Sequence, residues 1–304
     1  MVRQTHLALE IVPEQVSVFA RHETFHPRFG WLKKGFDRAS QDSGIFLRDD
    51  ATVRLGVGKN MVRSIRYWCE AFKLLDSDHP TELGQQLLGH GGWDPYLEDP
   101  ASLWLLHWQL LQPTCLATAW YFVFNHFHRT QFKSDELFGE LKDYASRLTG
   151  RSAESSLHKD IACLLRMYAR ISSKSNATED SLDCPFVELG LIHESFDGKY
   201  NFRIGSKHNL PASLVVYASL SYAATVSETA RTLPLAKLLY DPGSPGMIFK
   251  LDELAICEAI ERVSKHCNAV QVTDTAGKLQ FVFNGQPREL ATQILASYYP
   301  VRGA

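Results

Sequence analysis

The chain has 304 residues, 45% hydrophobic and 22% charged, with a formal net charge of −2. That composition excludes a disordered polyelectrolyte and leaves room for about two domains at roughly 100–200 residues each. The near-neutral total hides an asymmetry: from Arg28 to Lys73 there are ten Lys/Arg against five Asp/Glu, a local +5, so the remainder carries −7. A basic stretch in an acidic chain is the footprint of a nucleic-acid-binding module. Six cysteines (Cys69, Cys115, Cys163, Cys184, Cys257, Cys267) form no CxxC pair, so neither a zinc site nor a disulfide framework is expected. The opening MVRQTHLALEIVPEQ is too polar for a signal peptide, and no run of 18 apolar residues follows. A cytoplasmic location is therefore expected.

The segment FHPRFGWLKKGFD, Phe25 to Asp37, interleaves Phe25, Phe29, Trp31 and Phe36 with Arg28, Lys33 and Lys34. Cations beside planar rings could meet phosphates and stack on exposed bases; equally, the rings could be core. Next, in Arg48 to Leu75, Asp50 can cap a short helix through Leu55, and Gly56 and Gly58 supply a permissive turn. A longer helix is predicted from Lys59 to Leu74. Its apolar stripe is Met61 or Val62, Ile65, Cys69 and Phe72; Lys59, Arg63, Arg66 and Lys73 form the opposite stripe. A short helix, a glycine turn and a helix with apolar back and basic front is what major-groove insertion requires. Asn60 stands at its leading end and Arg54 on the short helix before it. The plainer reading is an amphipathic helix with a solvated basic face. Pro80 to Gly84 and Gly89 to Gly92 are expected to make a wing and the helix behind it.

Four helices are predicted to follow. Asp99-Pro100 starts Ser102 to Leu111, an apolar helix stopped by Pro113, in which Trp104 and Trp108 are expected core. Thr114 to Phe127 makes the second; the third has Ser134 as N-cap with Asp135 and Glu136 in its first turn; Ser156 to Ile171 makes the fourth. The polar run Ser172 to Asp183 reads as a linker. Beyond it, Phe186 to His193 and Tyr200 to Ile204 flank Asp197-Gly198, a strong hairpin signal. Leu251 to His266 is an amphipathic helix, followed by strands Ala269 to Thr273 and Leu279 to Phe283 around Ala276-Gly277. Helix then hairpin is the outline of a second winged-helix unit, one that many α+β folds share.

The expected fold is thus α+β and mostly helical: an N-terminal winged helix-turn-helix region with a helical bundle, and a C-terminal mixed helix and hairpin domain. The predicted divisions are 1–112, the DNA-binding region; 113–171, helical; 172–183, linker; and 184–304, the C-terminal domain.

A nuclease site is harder to find. His158-Lys159-Asp160 has the letters but not the spacing of a phospholipase-D-type site, and Glu194 to Lys199 lacks the spacing of a PD-(D/E)xK core. His126 and His128 alternate without a neighbouring acidic cluster and are expected on an aromatic helix surface. Asp160, Glu188, Glu194, Asp252 and Glu253 are expected at the surface or at helix caps. Catalytic residues and metal ligands stay unassigned. Mg²⁺ or Mn²⁺ is the candidate cofactor only because phosphodiester cleavage commonly uses carboxylate-held ions.

The strings FHPRFGWLKKGFD, IFLRDDATVRLGVGKNMVRSIRYW and DPYLEDPASLWLLHWQL resemble the SspB-like family, a bacterial family long catalogued as a domain of unknown function. The match runs from about Phe25 to Leu111. Weaker echoes follow in CPFVELGLI (Cys184 to Ile192), SPGMIFKLDE (Ser244 to Glu253) and DTAGKLQFVF (Asp274 to Phe283). The resemblance implies the DNA-nicking component of the SspABCD phosphorothioation system, in which sulfur replaces a non-bridging phosphate oxygen on one DNA strand in defence against phage. It also implies partners: double-stranded DNA, a cysteine desulfurase, an ATPase and an ATP pyrophosphatase-like enzyme. The residues themselves lead to DNA binding, through Arg28, Lys33, Lys34, Arg54, Lys59, Asn60, Arg63, Arg66 and Lys73, with nickase and non-catalytic adaptor as the competing roles. No heptad seam argues for an oligomeric state.

Overall fold

A left-handed Gly30 (φ 75°) delivers the chain into α1 (Trp31–Gln41), whose Trp31, Leu32, Phe36 and Ala39 turn inward. The aromatics of this approach segment are therefore mostly core; Phe29, 59% exposed, is the exception. The computed structural model describes residues 17–149, 153–170 and 184–299. After α1 comes the short α2 (Ala51–Leu55), closed by Gly56 at φ 63°, and then α3 (Lys59–Ala71). Lys73, at φ 62°, ends that helical path three residues earlier than the periodicity predicts.

The chain then forms a minimal hairpin, β1 (Leu75–Asp76) with β2 (His79–Pro80). Its turn residues Ser77 and Asp78 both have positive φ, 50° and 67°, the handedness that matches strand twist. Sequence reasoning placed a wing later, at Pro80 to Gly84. Those residues instead close the hairpin and open α4 (Glu82–Leu88), because Thr81 Oγ1 accepts from the Gly84 amide at 3.0 Å.

Asp99 caps α5 (Pro100–Leu110), accepting from the Ala101 amide at 2.8 Å while Pro100 has no donor to satisfy. Trp104 and Trp108 are buried, as an all-apolar helix requires. Then come α6 (Thr118–Asn125), β3 (Gln131–Phe132), α7 (Ser134–Thr149), α8 (Glu154–Tyr168) and β4 (Ala169–Arg170). A 3₁₀ turn over Pro185–Leu189 leads into β5 (Ile192–Glu194) and β6 (Tyr200–Phe202).

The remaining elements are α9 (Ala212–Val226), β7 (Thr232–Pro234), α10 (Leu235–Tyr240), α11 (Pro245–Phe249), α12 (Glu253–Ser264), β8 (Val270–Thr275), β9 (Lys278–Phe283) and α13 (Pro287–Tyr298). The predicted helix-then-hairpin order is present, with β9 between β7 and β8 and α12 capped by Asp252. Among the described residues no helix is long and apolar enough to cross a membrane.

The predicted linker, 172–183, lies outside the described residues. What flanks it is shared. The four-stranded sheet runs β3-β6-β5-β4, so two strands come from before that segment and two from after. Strand β4 pairs parallel with β5, while the other pairs are antiparallel. Phe72 stacks on Phe186 with centroids 5.0 Å apart. Deeper still, His107 on α5 joins Tyr168 on α8 to Ile248 on α11. Its Nε2 donates to the Ile248 carbonyl at 3.0 Å, which leaves Nδ1 to accept from the Tyr168 hydroxyl at 2.8 Å. Full burial pushes His107 down to about 3, so it stays neutral.

Candidate nucleic-acid interface

Helix α3 presents two very different sides. Val62, Ile65, Cys69 and Phe72 are buried, as their spacing predicts. Ser64, Tyr67 and Trp68 are buried as well, which the spacing alone does not show. The reason is an arm, residues 17–28, lying along the helix. Trp68 Nε1 donates to the Phe25 carbonyl at 2.9 Å, and His22 stacks on Trp68 with centroids 6.2 Å apart.

The arm is wound through positive φ at Ala20, Glu23 and Thr24 and is held to α8 by one carboxylate. Asp160 Oδ1 accepts from the Ala20 amide at 2.9 Å and from His22 Nε2 at 2.7 Å. Asp160 is thus not at the surface or a cap, as its sequence context suggests. It is 1% exposed, and burial holds its carboxyl above the usual range against the opposing pull of His22.

The predicted DNA-contact residues separate into two groups. Lys59 and Asn60, at the start of α3, are exposed, as is Lys34 on α1, and among the described residues neither lysine makes an ion pair. Arg63 is exposed and, among the described residues, meets only Glu23, at 3.5 Å. Arg54 is exposed but bonded to Asp50 at 2.6 Å, an i,i+4 surface pair that water and salt screen. Asp50 is consequently an ion-pair acceptor rather than a side-chain cap for α2. Arg28 lies over the Trp31 ring, 5.5 Å from its centroid.

Three other cations hold the fold. Lys33 donates to Asp37 at 2.6 Å and to the Leu88 carbonyl at 3.1 Å, joining α1 to α4. Arg66 donates to Asp78 at 2.7 Å, fixing the hairpin turn to α3. Lys73 donates to the Thr114 carbonyl, and partial burial lowers its ammonium from the ordinary range. Periodicity identifies which side of a helix is polar; it does not show which cations are already engaged.

Beside α3 the arm leaves an open groove of about 480 Å³ whose lining includes Arg21, Glu23, Arg63, Arg66, Tyr67 and Glu70. Arg21 and Glu23 lie before the stretch in which sequence reasoning found its charge excess. Nothing in their local pattern marks them, since only the folded arm brings them to α3.

Other candidates resolve as follows. His126 makes ring contacts with Tyr121 and Tyr144, and His158 stacks on Phe138 at 4.0 Å. Cys69, Cys115, Cys163 and Cys184 are buried thiols whose ionisation burial opposes. Among the described residues no three His, Cys, Asp or Glu side chains group so as to hold a metal ion.

The sequence profile of a family described as a protein of unknown function (DUF4007) matches residues 19–299. A crystal structure of SspB with bound magnesium ion is 37% identical to this chain, covering 95% of it and 90% of the SspB chain, with a TM-score of 0.89. The chain belongs to the SspB-like family. A second SspB crystal structure agrees, at 37% identity and a TM-score of 0.88 over the same shares of both chains. No curated protein matches the sequence. The SspB-like resemblance, read from three strings before Leu111 and from weaker echoes reaching Phe283, thus holds over nearly the whole chain.

Proposed function

We propose that this SspB-like chain is the DNA-binding and DNA-nicking component of a phosphorothioation system, docking on duplex DNA through α2, the Gly56 turn and α3 as a winged helix-turn-helix. The observation that supports docking is the exposure of Lys59 and Asn60, neither with an ion pair among the described residues, at the leading end of a helix whose opposite side is buried. The first residues of a recognition helix meet base edges, and flanking cations, here Lys34, Arg54, Arg63 and Arg28, meet phosphates. The β1–β2 hairpin, locked to α3 by Arg66 and Asp78, is the wing of this reading.

The C-terminal helix-hairpin unit does not compete for that role. Its long helix α12 exposes Glu253, Leu254 and Glu261 against Arg262, a side that repels phosphate. Nicking comes with the family reading rather than from a catalytic group in the fold. Among the described residues no three His, Cys, Asp or Glu side chains group around a position for a magnesium or manganese ion. A second reading, a non-catalytic adaptor that brings the cysteine desulfurase, ATPase and ATP pyrophosphatase partners to DNA, rests on the sequence carrying no intact nuclease motif.

The test is a supercoiled plasmid incubated with the purified protein and Mg²⁺ or Mn²⁺, beside a duplex-binding titration. Open-circle product supports the nickase, and binding without nicking supports the adaptor. A Lys34→Ala, Lys59→Ala variant should keep its thermal stability and reduce the salt slope of binding by about 0.9 per lost phosphate contact. An unchanged slope in the folded variant removes the α3 interface.

A further inference from the structure

The groove between the arm and α3 is lined by three guanidinium groups. Arg66 lies at its edge, already neutralised by Asp78 at 2.7 Å with Glu70 at 3.8 Å. Arg21 is exposed and, among the described residues, makes no ion pair. Arg63 has one ion-pair partner among the described residues, Glu23, at 3.5 Å; the arginine side chain is 55% exposed and the glutamate 33%. A contact so long and so exposed contributes little in water.

The groove therefore holds one unused guanidinium and a second that is weakly occupied. Arginine forks match the oxygens of a tetrahedral phosphate in paired hydrogen bonds, which a single long contact to a carboxylate does not equal. We infer that this groove is a phosphate-binding site built by Arg21 and Arg63, in which Glu23 occupies Arg63 until a phosphate group displaces it. Glu23 then acts as a built-in competitor: it keeps Arg63 positioned when the groove is empty and weakens, without preventing, the binding of phosphate. The backbone strain at Glu23, φ 50°, sits on the residue that has to yield. Glu70 does not compete for Arg63, because it is the i,i+4 neighbour of Arg66, at 3.8 Å.

The phosphate could come from a DNA backbone or from a free phosphate. Only the first source rests on the duplex-docking reading. Fluorescence anisotropy on a short duplex, across salt concentrations, separates the cases with wild type, Arg21→Ala, Glu23→Gln and Lys59→Ala. For a DNA phosphate, Arg21→Ala should weaken binding about tenfold and lower the salt slope by about 0.9, while Glu23→Gln should tighten it about two- to fivefold. Arg21→Lys should recover part of the loss, since charge is kept and the fork is not. If Arg21→Ala and Glu23→Gln bind as wild type does while Lys59→Ala is weakened, the groove proposal is overturned and the α3 docking reading stands. If wild type binds no duplex, docking fails instead. Inorganic phosphate must then protect wild type against heat unfolding and leave Arg21→Ala unprotected; equal curves for the two overturn the groove site as well.

Discussion

Asp160→Ala is the substitution whose consequences the fold defines most closely. The carboxylate is 1% exposed and receives two hydrogen bonds at one oxygen, from the Ala20 amide and from His22. It sits in an aromatic slot in which His22 lies edge-on to Trp120 at 5.6 Å and stacks on Trp68. Removing one member of a buried, hydrogen-bonded pair costs about 3–5 kcal/mol, because the other member stays buried without its partner. With an unfolding entropy of about 2.1 cal/mol/K per residue, a chain of this length loses about 6 °C in Tm for about 4 kcal/mol. The same change frees the arm locally, so trypsin should cut after exposed Arg21 well before the rest of the fold opens. Asp160→Asn keeps an acceptor for the Ala20 amide and should lose less than half as much. Calorimetry and limited proteolysis read both effects. A melting temperature of Asp160→Ala within about 1 °C of wild type, with Arg21 still protected, would refute the claim that this pair anchors the arm.

Arg66→Ala should lower stability by about 1–2 kcal/mol in urea unfolding, since Asp78 is left 5% exposed in a hairpin turn without its cation. Truncation after residue 170 should give insoluble or protease-sensitive chain by gel filtration, because β4 loses its partner β5 and Phe72 loses Phe186. Lys250 is held down to about 7 by burial and then by neighbouring Lys207, against an ordinary value of 10.5. A lysine whose folded value is depressed destabilises most below the folded value, and stability returns as pH rises toward the unfolded one. Between pH 7 and pH 9 this group alone should add about 2 kcal/mol, and Lys250→Met should remove that rise in paired urea titrations.

How much of this was legible in the sequence varies with the kind of interaction. The stripe Val62, Ile65, Cys69, Phe72 is a local pattern, and the Asp99, Thr81 and Asp252 caps are local hydrogen bonds, so helix positions follow from neighbours. The predicted helix at Thr114 begins only at Thr118, and the one from Ser156 runs Glu154–Tyr168 and gives way to β4. Those ends are set by tertiary partners: pairing with β5, for example, requires extended backbone at Ala169. The candidate interface was half legible for the same reason. A helical wheel places Lys59, Arg63 and Arg66 together, yet Arg66 is closely engaged by Asp78, delivered by a hairpin twelve residues on, while Arg63 has only the long contact to Glu23 among the described residues.

Asp160 shows what a closer reading of the same pattern would have found. Leu157, Ile161 and Leu164 are three before, one after and four after it, so the carboxylate lies on the apolar side of α8. A charged group on that side must either neutralise or meet a partner, because burying it alone is far costlier than any helix propensity. The sequence offers no means of naming that partner, since His22 is 138 residues away. Once the pair forms, the rest of the interface follows from chain continuity: Arg21 flanks His22, Glu23 follows it, and Arg63 lies on the helix they cover. The charges that face solvent beside α3 are therefore arranged by a buried carboxylate on another helix, which is why Asp160 should influence nucleic-acid affinity without touching the ligand.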